Sequence, residues 1–279
     1  MEKIKHISSE FKDWIIQTLN SGASPEKIVD AMIKKGFDET FALRTLLRIS
    51  GNQSIVTADK QSPYYYEIPE IGQKGNKLYA GDREIKVLSR VEHPFILHLD
   101  NVLSDEECDK LISLSRDRLQ PSHVIDKNTG ENRAASGRTS KGMYFTINEN
   151  GHVSTIEKRI AELTGYPIEN GEGLQVLNYK IGEEYKPHFD YFPANQVIED
   201  KGGQRIGTFL IYLNDVASGG ETVFSKSGVS IVPKKGTAVY FHYGNSKGQV
   251  DRLSLHTSVP VSEGEKWVAT KWIRQGRIY

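Results

Sequence analysis

The sequence has 279 residues, 36 Lys and Arg against 36 Asp and Glu, and 37% hydrophobic residues. This length suits one large domain or a medium domain with a small companion, and the apolar content is enough for a packed core. The balanced charge argues against a chain that binds nucleic acid or an anionic membrane through its overall field. No run approaches the roughly 18 apolar residues of a membrane span, and the first residues lack the apolar core of a signal peptide. The one cysteine, Cys108, excludes an intramolecular disulfide and favours a reducing compartment, so a cytoplasmic protein is expected.

Residues 1–50 are predicted to form a small helical bundle. Apolar residues recur at helical spacing in the first helix, namely Phe11, Trp14, Ile15 and Leu19. Pro25 starts a second helix that Gly36 ends, and Asp38 can cap a third. In size and pattern the three helices resemble ubiquitin-associated-like bundles. Two interpretations stay open, a packing appendage and a module that docks a protein partner.

Residues 51–82 are polar and irregular, with several glycines and prolines, and are interpreted as a linker. The run Tyr64-Tyr65-Tyr66 is unusual in such a segment. Its rings either anchor the linker to a neighbouring surface or form a lip that contacts substrate.

Residues 83–279 are predicted to form an α+β domain. It opens with strands near 84–90 and 95–99. A helix follows, which begins at the capping box formed by Ser104 and Glu107. Next come a turn at 126–132, a strand at 138–145 and a helix at 152–163. Short strands follow at 174–180, 185–191, 207–213, 221–224, 229–232, 237–243, 253–259 and 266–273. Short strands separated by Gly, Pro and Asn favour a double-sheet jelly roll (a double-stranded β-helix) with supporting helices.

His188 and Asp190 form an H-x-D pair on one of these predicted strands. Side chains at positions i and i+2 of a strand leave the same face, so both can hold one ion. With His256, from a later strand, they would make a 2-His-1-carboxylate triad, which leaves coordination positions of Fe(II) open. H-x-D alone is a weak signal, and an ordinary surface histidine is the alternative for His188.

Lys266 begins the last predicted strand, ten positions after His256. A lysine at a strand end usually extends to solvent. If its face is internal, however, the ammonium needs an anion, because an unpaired buried charge is costly. The distal carboxylate of 2-oxoglutarate would supply one, with Tyr179 and Thr222 as candidate hydroxyl donors. Both residues are also common in strands for structural reasons.

Four collinear segments of this region resemble the prolyl 4-hydroxylase family. They are LQVLNYKIGEEYKPHFDYF (174–192), GGQRIGTFLIYLNDVASGGETVF (202–224), PKKGTAVYF (233–241) and SLHTSVPVSEGEKWVATKWI (254–273). The resemblance runs from about residue 91 to 274. It covers neither the helical N-terminal region nor most of the linker.

The resemblance implies roles for individual residues. It makes His188, Asp190 and His256 the iron ligands and Lys266 the partner of the 2-oxoglutarate C5 carboxylate, assisted by Tyr179 and Thr222. It also makes Tyr185, Arg205, Trp272 and Arg138 candidates for the peptide site near the target proline. For Trp272 the alternative is a core position, and for Arg205 it is an ion pair at a strand end.

Two positions depart from the family pattern. His256 is followed by Thr257-Ser258, where many members have small residues and a cysteine, which alters the neighbouring wall. Arg274 stands where some members place a histidine near the substrate. The chain also lacks the signal sequence and disulfides of the secreted-pathway collagen enzymes, so collagen is not the expected physiological substrate.

The leading hypothesis is an Fe(II)- and 2-oxoglutarate-dependent dioxygenase that uses O2 to hydroxylate C4 of a prolyl residue in a protein or peptide, releasing succinate and CO2. L-Ascorbate is expected as a reductant, by resemblance. A second hypothesis keeps these cofactors and changes the substrate to a lysyl side chain, a free amino acid or a nucleobase; the balanced charge argues against nucleic acid. A third is a non-catalytic adaptor led by the N-terminal bundle.

Overall fold

The computed structural model describes residues 7–21, 23, 25–38, 41–42, 45–46, 49, 64–121, 123–125, 132–134 and 137–279. The chain divides into two compact units. One comprises Met1–Ser62 with Val223–Ser230, and the other comprises Pro63–Thr222 with Ile231–Tyr279. No helix in the described ranges combines the length and apolar character needed to cross a membrane.

Two amphipathic helices lie in the described N-terminal residues of the first unit. They are α1 (Ser9–Asn20) and α2 (Pro25–Lys34). Their buried apolar side chains belong to one cluster, which includes Ile15, Ile28, Val29, Met32 and Phe37. The Phe41 N–H donates to Asp38 Oδ1 at 3.0 Å, as expected for a helix cap. Much of the predicted third helix, and linker residues 51–63, fall outside the described residues.

Three helices lie among the described residues of the second unit: α3 (Glu70–Gln73), α4 (Asp105–Arg116) and α5 (Gly151–Thr164). The predicted capping box of α4 is confirmed. Ser104 Oγ accepts from the Glu107 N–H at 3.2 Å, and the Ser104 N–H donates to the Glu107 carboxylate at 2.8 Å. At the other predicted helix, Gly165 follows α5 with a φ of +80°, a conformation that glycine adopts without a steric cost.

The main feature of the second unit is a nine-stranded antiparallel sheet. Its strands are β1 (Lys77–Ala80), β2 (Arg83–Val91), β3 (Phe95–Asp100), β4 (Gln120–Pro121), β7 (Lys141–Tyr144), β8 (Gln175–Tyr179), β10 (Arg205–Tyr212), β14 (Ala238–His242) and β17 (Lys266–Arg274). Their order across the sheet is β1-β2-β3-β14-β10-β17-β8-β7-β4. Every residue of β17 is buried, as expected for a central strand with both faces covered. One core cluster joins sheet side chains such as Phe209 and Trp267 to α4 and α5 through Leu111 and Ile160.

The remaining strands are short. They are β5 (His123–Ile125), β6 (Asn132–Ala134), β9 (Tyr185–His188), β11 (Ser218–Gly219), β12 (Thr222–Phe224), β13 (Val229–Ile231), β15 (His256–Ser258) and β16 (Val261–Glu263). β9 and β15 pair antiparallel, and the Val259 N–H after β15 donates to the Glu221 carbonyl before β12 at 3.0 Å. The result is a mixed α and β fold with a large antiparallel sheet, consistent with the expected jelly roll.

The predicted linker of 51–82 differs from the structure in its second half. Helix α3 and strand β1 lie within it, and β1 pairs with β2. Leu78 and Ala80 alternate inward along β1 and are almost fully buried, which explains why this glycine-rich stretch is a strand. A four-residue strand is too short to give a clear period-2 pattern in the sequence. Of the predicted 126–132 turn, all but the last residue falls outside the described ranges.

Candidate active site

His188, Asp190 and His256 come together at the paired strands β9 and β15. The register of this pair places His188 directly opposite His256. The His188 Nε2 atom is 3.5 Å from Asp190 Oδ1, and the His256 Nε2 atom is 3.7 Å from Asp190 Oδ2. One ligand atom from each residue lies within 4.8 Å of the others. Asp190 follows the end of β9 in a bend, so the H-x-D pair spans a strand end instead of one continuous strand face.

Both imidazoles are oriented by backbone carbonyl groups. His188 Nδ1 is 2.8 Å from the Lys186 oxygen, and His256 Nδ1 is 2.9 Å from the Ser254 oxygen. Because a carbonyl only accepts, Nδ1 carries the hydrogen in each ring and the Nε2 lone pair remains for a metal. Burial lowers the pKa of His256 to about 4, which favours the neutral form that binds metals.

Asp190 is held by the hydroxyl of Thr208, which is itself in contact with the hydroxyl of Tyr243; neither residue was predicted from the sequence. The Thr208 hydroxyl donates to Asp190 Oδ2 at 2.7 Å, and the Tyr243 hydroxyl lies 3.0 Å from Thr208 Oγ1. Burial disfavours the charged carboxylate, but the neighbouring imidazoles of His256 and His188 and the Thr208 hydrogen bond hold the pKa of Asp190 well below its ordinary value. Two imidazoles and a carboxylate are the donor set of a non-haem Fe(II) site, so these residues fit that ion.

Lys266 is buried in the same pocket, with 1% of its surface exposed. Its ammonium donates to the Ser258 hydroxyl at 2.8 Å and lies 5.4 Å from the centre of the Tyr179 ring. Burial lowers its pKa to about 7, while the nearby Glu221 acts in the opposite direction. The hydrogen-bond partner of the Lys266 ammonium, Ser258, carries no charge. A carboxylate that enters the pocket can therefore form an ion pair with this ammonium. Ser258 is also one of the positions that depart from the family pattern.

The two candidate hydroxyl donors share the pocket with this lysine. Tyr179 pairs directly with Lys266 across β8 and β17 and is almost fully buried. Thr222 Oγ1 accepts a hydrogen bond from the Tyr212 hydroxyl at 2.7 Å, so its own hydrogen is free to be donated elsewhere. Both side chains line the pocket. Tyr212 was not predicted, and its position within an apolar strand gave no distinguishing signal.

The pocket lies where residues of the large sheet meet those of β9 and β15. It has a volume of about 460 Å³ including its mouth, within the usual range for small-molecule sites. Its walls contain Arg138, Gln175, Leu177, Tyr179, Tyr185, His188, Asp190, Thr208, Leu210, Thr222, Phe241, His256, Ser258, Lys266, Val268, Thr270 and Trp272. The triad and Lys266 thus share one pocket.

Three of the four predicted substrate residues line this pocket. Tyr185 stacks on the His188 ring with centroids 3.4 Å apart, and the Arg138 guanidinium lies 5.2 Å from the Tyr185 ring centre. The buried Trp272 Nε1–H has no hydrogen-bond partner among the described atoms, so it can donate to a ligand. Their contact with a peptide stays a prediction.

Arg205, the fourth, is paired with an acid, as its alternative interpretation anticipated. It makes two hydrogen bonds of 2.6 Å to the Glu172 carboxylate and lies 4.0 Å from the Trp272 ring centre. It also donates to the Asp190 carbonyl at 3.2 Å. Arg274 donates to the same Glu172 carboxylate at 3.1 Å. A direct role of Arg205 in peptide binding is therefore still only predicted.

Comparison with known proteins agrees with this geometry. Residues 174–274 match the model of the 2OG-Fe(II) oxygenase superfamily. Prolyl 4-hydroxylase 5 of Arabidopsis thaliana is 37% identical over 243 residues, covering 78% of this chain and 82% of the relative. The chain belongs to the prolyl 4-hydroxylase family.

Two further members of the family illustrate the range of similarity. Prolyl 4-hydroxylase 1 of Arabidopsis thaliana is 44% identical over 197 residues, covering 65% of this chain and 69% of the relative. A viral collagen prolyl hydroxylase of Paramecium Bursaria Chlorella virus-1, solved as a 2OG complex, is 30% identical with a TM-score of 0.53. That match covers 64% of this chain and 95% of the viral one. In this prolyl 4-hydroxylase family member, the predicted ligand triad and the predicted lysine lie together in one pocket.

Proposed function

We propose that the protein hydroxylates C4 of a prolyl residue in a protein or peptide, using Fe(II), 2-oxoglutarate and O2 and releasing succinate and CO2. The observation that carries the proposal is the burial of Lys266 in the same pocket as the His188, Asp190 and His256 donor set. Membership of the prolyl 4-hydroxylase family supports the choice of proline over a lysyl side chain or a free amino acid.

The iron and 2-oxoglutarate, when bound, supply the O2 chemistry that converts a C–H bond of proline into C–OH. The contribution of the chain is to position the reactants. Lys266 binds the C5 carboxylate of 2-oxoglutarate, with Thr222 and Tyr179 beside it, and the buried walls around this carboxylate exclude water. Tyr185 and Trp272 form the part of the wall that faces an entering prolyl ring.

The direct test is an incubation of the protein with Fe(II), 2-oxoglutarate and a short proline-containing peptide. Mass spectrometry should detect 4-hydroxyproline in the peptide, with succinate formed in equal amount. His256→Ala should abolish both products, whereas His98→Ala, which changes a histidine of β3 outside the pocket, should retain them. Succinate without any hydroxylated peptide would contradict the proline substrate and favour another 2-oxoglutarate oxygenase.

We also propose that residues 1–50 form a ubiquitin-associated-like bundle that docks a protein partner. The support is the pair of helices α1 and α2 with a shared apolar cluster. Deleting residues 1–50 should leave the kinetics with short peptides unchanged and reduce activity on a whole-protein substrate. If the shortened protein acts on the whole-protein substrate as fast as the full-length protein does, docking by residues 1–50 is contradicted.

Two further proposals concern the reductant and the cellular location. We propose that L-ascorbate sustains activity, so its addition should raise the total product formed per enzyme. We propose a cytoplasmic location because the only cysteine, Cys108, is buried and unpaired, as suits a reducing compartment. Cell fractionation that finds the protein in an oxidising compartment would contradict the second proposal.

A further inference from the structure

The run Tyr64-Tyr65-Tyr66 and Glu67, here called the tyrosine segment, binds the loop of residues 244–251. Tyr64 donates its hydroxyl hydrogen to the Gly244 carbonyl at 3.1 Å, at the beginning of the loop. Tyr66 donates to Asp251 Oδ1 at 3.4 Å, at its end. The segment therefore contacts both ends of one loop.

The middle of the loop is bound as well. The Tyr65 N–H donates to Gln249 Oε1 at 3.0 Å, and Asn245 Nδ2 donates to the Tyr65 carbonyl at 2.9 Å. The Ser246 N–H donates to the Glu67 carboxylate at 2.9 Å, and the Ser246 hydroxyl donates to the same carboxylate. With contacts along its whole length, the loop is fixed to the tyrosine segment by main-chain and side-chain hydrogen bonds.

The segment is itself supported by ring packing. The Tyr66 ring lies 4.0 Å from the His93 ring, between centroids, and meets the Tyr64 ring edge to face at 4.7 Å. Removing a hydroxyl from either tyrosine would leave these ring contacts in place.

The end of the loop leads directly to His256. Asp251 Oδ1 accepts from the Leu253 N–H at 2.8 Å and so caps a 3-10 turn at Arg252–Ser254. The Asp251 carbonyl accepts from the Ser254 hydroxyl at 2.7 Å. The Ser254 carbonyl then accepts from His256 Nδ1, the contact that orients this ring. Asp251 thus links Tyr66 to the imidazole through one capped turn.

The beginning of the loop leads to Asp190. Gly244 follows Tyr243, whose hydroxyl contacts Thr208, the residue that donates to the Asp190 carboxylate. The loop therefore lies between the supports of two different metal-ligand candidates.

We infer that the tyrosine segment positions His256 and the support of Asp190, so that residues outside the pocket set the metal affinity of the centre. The inference rests on the proposed role of these side chains as metal ligands and is independent of the proline substrate. The tyrosines act through the loop and are positioning residues.

The test is a titration of the metal-free full-length protein with Co(II), followed by calorimetry and by the Co(II) absorption spectrum. The variant combines Tyr64→Phe with Tyr66→Phe, which removes two hydroxyl groups and keeps both rings. Tyr65→Phe is the matched control, because the contacts of Tyr65 come from its backbone and from its ring, which lies 3.8 Å from Lys247 Nζ.

The double variant should bind Co(II) about tenfold more weakly, at the lower end of the effect of losing partners of metal ligands, with an altered spectrum. Its KM for 2-oxoglutarate at saturating metal should be unchanged, since Lys266 belongs to a different part of the pocket. The Tyr65→Phe control should match the wild type. If the double variant does not fold, the two single variants, each lacking one hydroxyl, are compared in the same way.

A Co(II) affinity equal to that of the control would overturn the inference, even if the melting temperature falls, because the segment would then only stabilise the fold. The titration of the wild type tests the metal site separately from the positioning role. If the wild type does not bind Co(II), the metal site itself is refuted. If the wild type binds Co(II) and the double variant binds it equally tightly, the site stands and the positioning role is refuted.

Discussion

Replacing Thr208 by valine tests how strongly the support of Asp190 contributes to the metal centre. The change removes the hydroxyl that donates to Asp190 Oδ2 at 2.7 Å and keeps a β-branched side chain of similar shape. Thr208 is 1% exposed, so bulk water has little access to replace the lost donor. A hydrogen bond to a charged acceptor contributes about 1.5–3 kcal/mol.

Each 1.4 kcal/mol corresponds to a factor of ten in a binding constant, so Thr208→Val should weaken metal binding by about 10- to 100-fold. The assay is anaerobic titration with Fe(II), with thermal unfolding measured separately. Thr270→Val is the control, because Thr270 is a buried threonine of the same pocket on β17. If Thr208→Val binds Fe(II) as tightly as the Thr270 variant, the hydroxyl does not support the ligand and the reasoning fails.

Three further predictions concern a cosubstrate contact, a buried ion pair and the peptide. Because burial lowers the pKa of Lys266 to about 7, its ammonium is lost as the pH rises through that value. Above that pH the KM for 2-oxoglutarate should rise by about tenfold per pH unit. Lys266→Arg should make this KM nearly independent of pH, since arginine stays charged. Lys271→Met should lower the free energy of unfolding by about 3–5 kcal/mol, since it leaves the fully buried Glu157 unpaired, while Lys235→Met at an exposed pair should change it by less than about 1 kcal/mol. Arg138→Gln should raise the KM for peptide more than the KM for 2-oxoglutarate, because the Arg138 guanidinium lies over the ring of Tyr185, a candidate substrate residue.

Each of these has a result that would contradict it. A KM for 2-oxoglutarate that stays constant between pH 6 and 9 would show that the lysine charge is not titrating in the free enzyme. Equal chemical denaturation curves for the two lysine variants would show that the buried pair does not stabilise the fold. An unchanged peptide KM in Arg138→Gln would remove this residue from the substrate site.

The strands around the site were predictable because their signals are local. Apolar residues bounded by turn residues placed the last predicted strand at 266–273, and the structure has Lys266–Arg274. The H-x-D spacing and His256 predicted a metal site, and Lys266 predicted a site for a carboxylate. The family resemblance then gave each of these residues a role. The structure brings these four side chains into one pocket, and their roles stay predictions.

The parts that depend on distant pairing were not predictable from the sequence. The register that sets His188 opposite His256 arises from the pairing of two short strands far apart in the chain. Thr208 lies in the apolar strand β10 and Tyr243 directly follows the apolar strand β14. In such stretches the sequence does not distinguish a hydroxyl that supports Asp190 from one that packs in the core. Glu172, which accepts from both Arg205 and Arg274, lies outside the strands, and its two partners come from distant parts of the chain, so the sequence did not indicate the pairing.

The binding of 2-oxoglutarate to the Fe(II)-loaded protein without O2 tests most directly whether the triad and Lys266 form one functional pocket. We predict that the wild type binds 2-oxoglutarate in a metal-dependent manner, that His188→Ala loses this dependence, and that Lys266→Met binds at least about tenfold more weakly because a charge-assisted contact is lost. If Lys266→Met binds 2-oxoglutarate as tightly as the wild type, the lysine does not hold the cosubstrate and the assignment of the pocket is wrong.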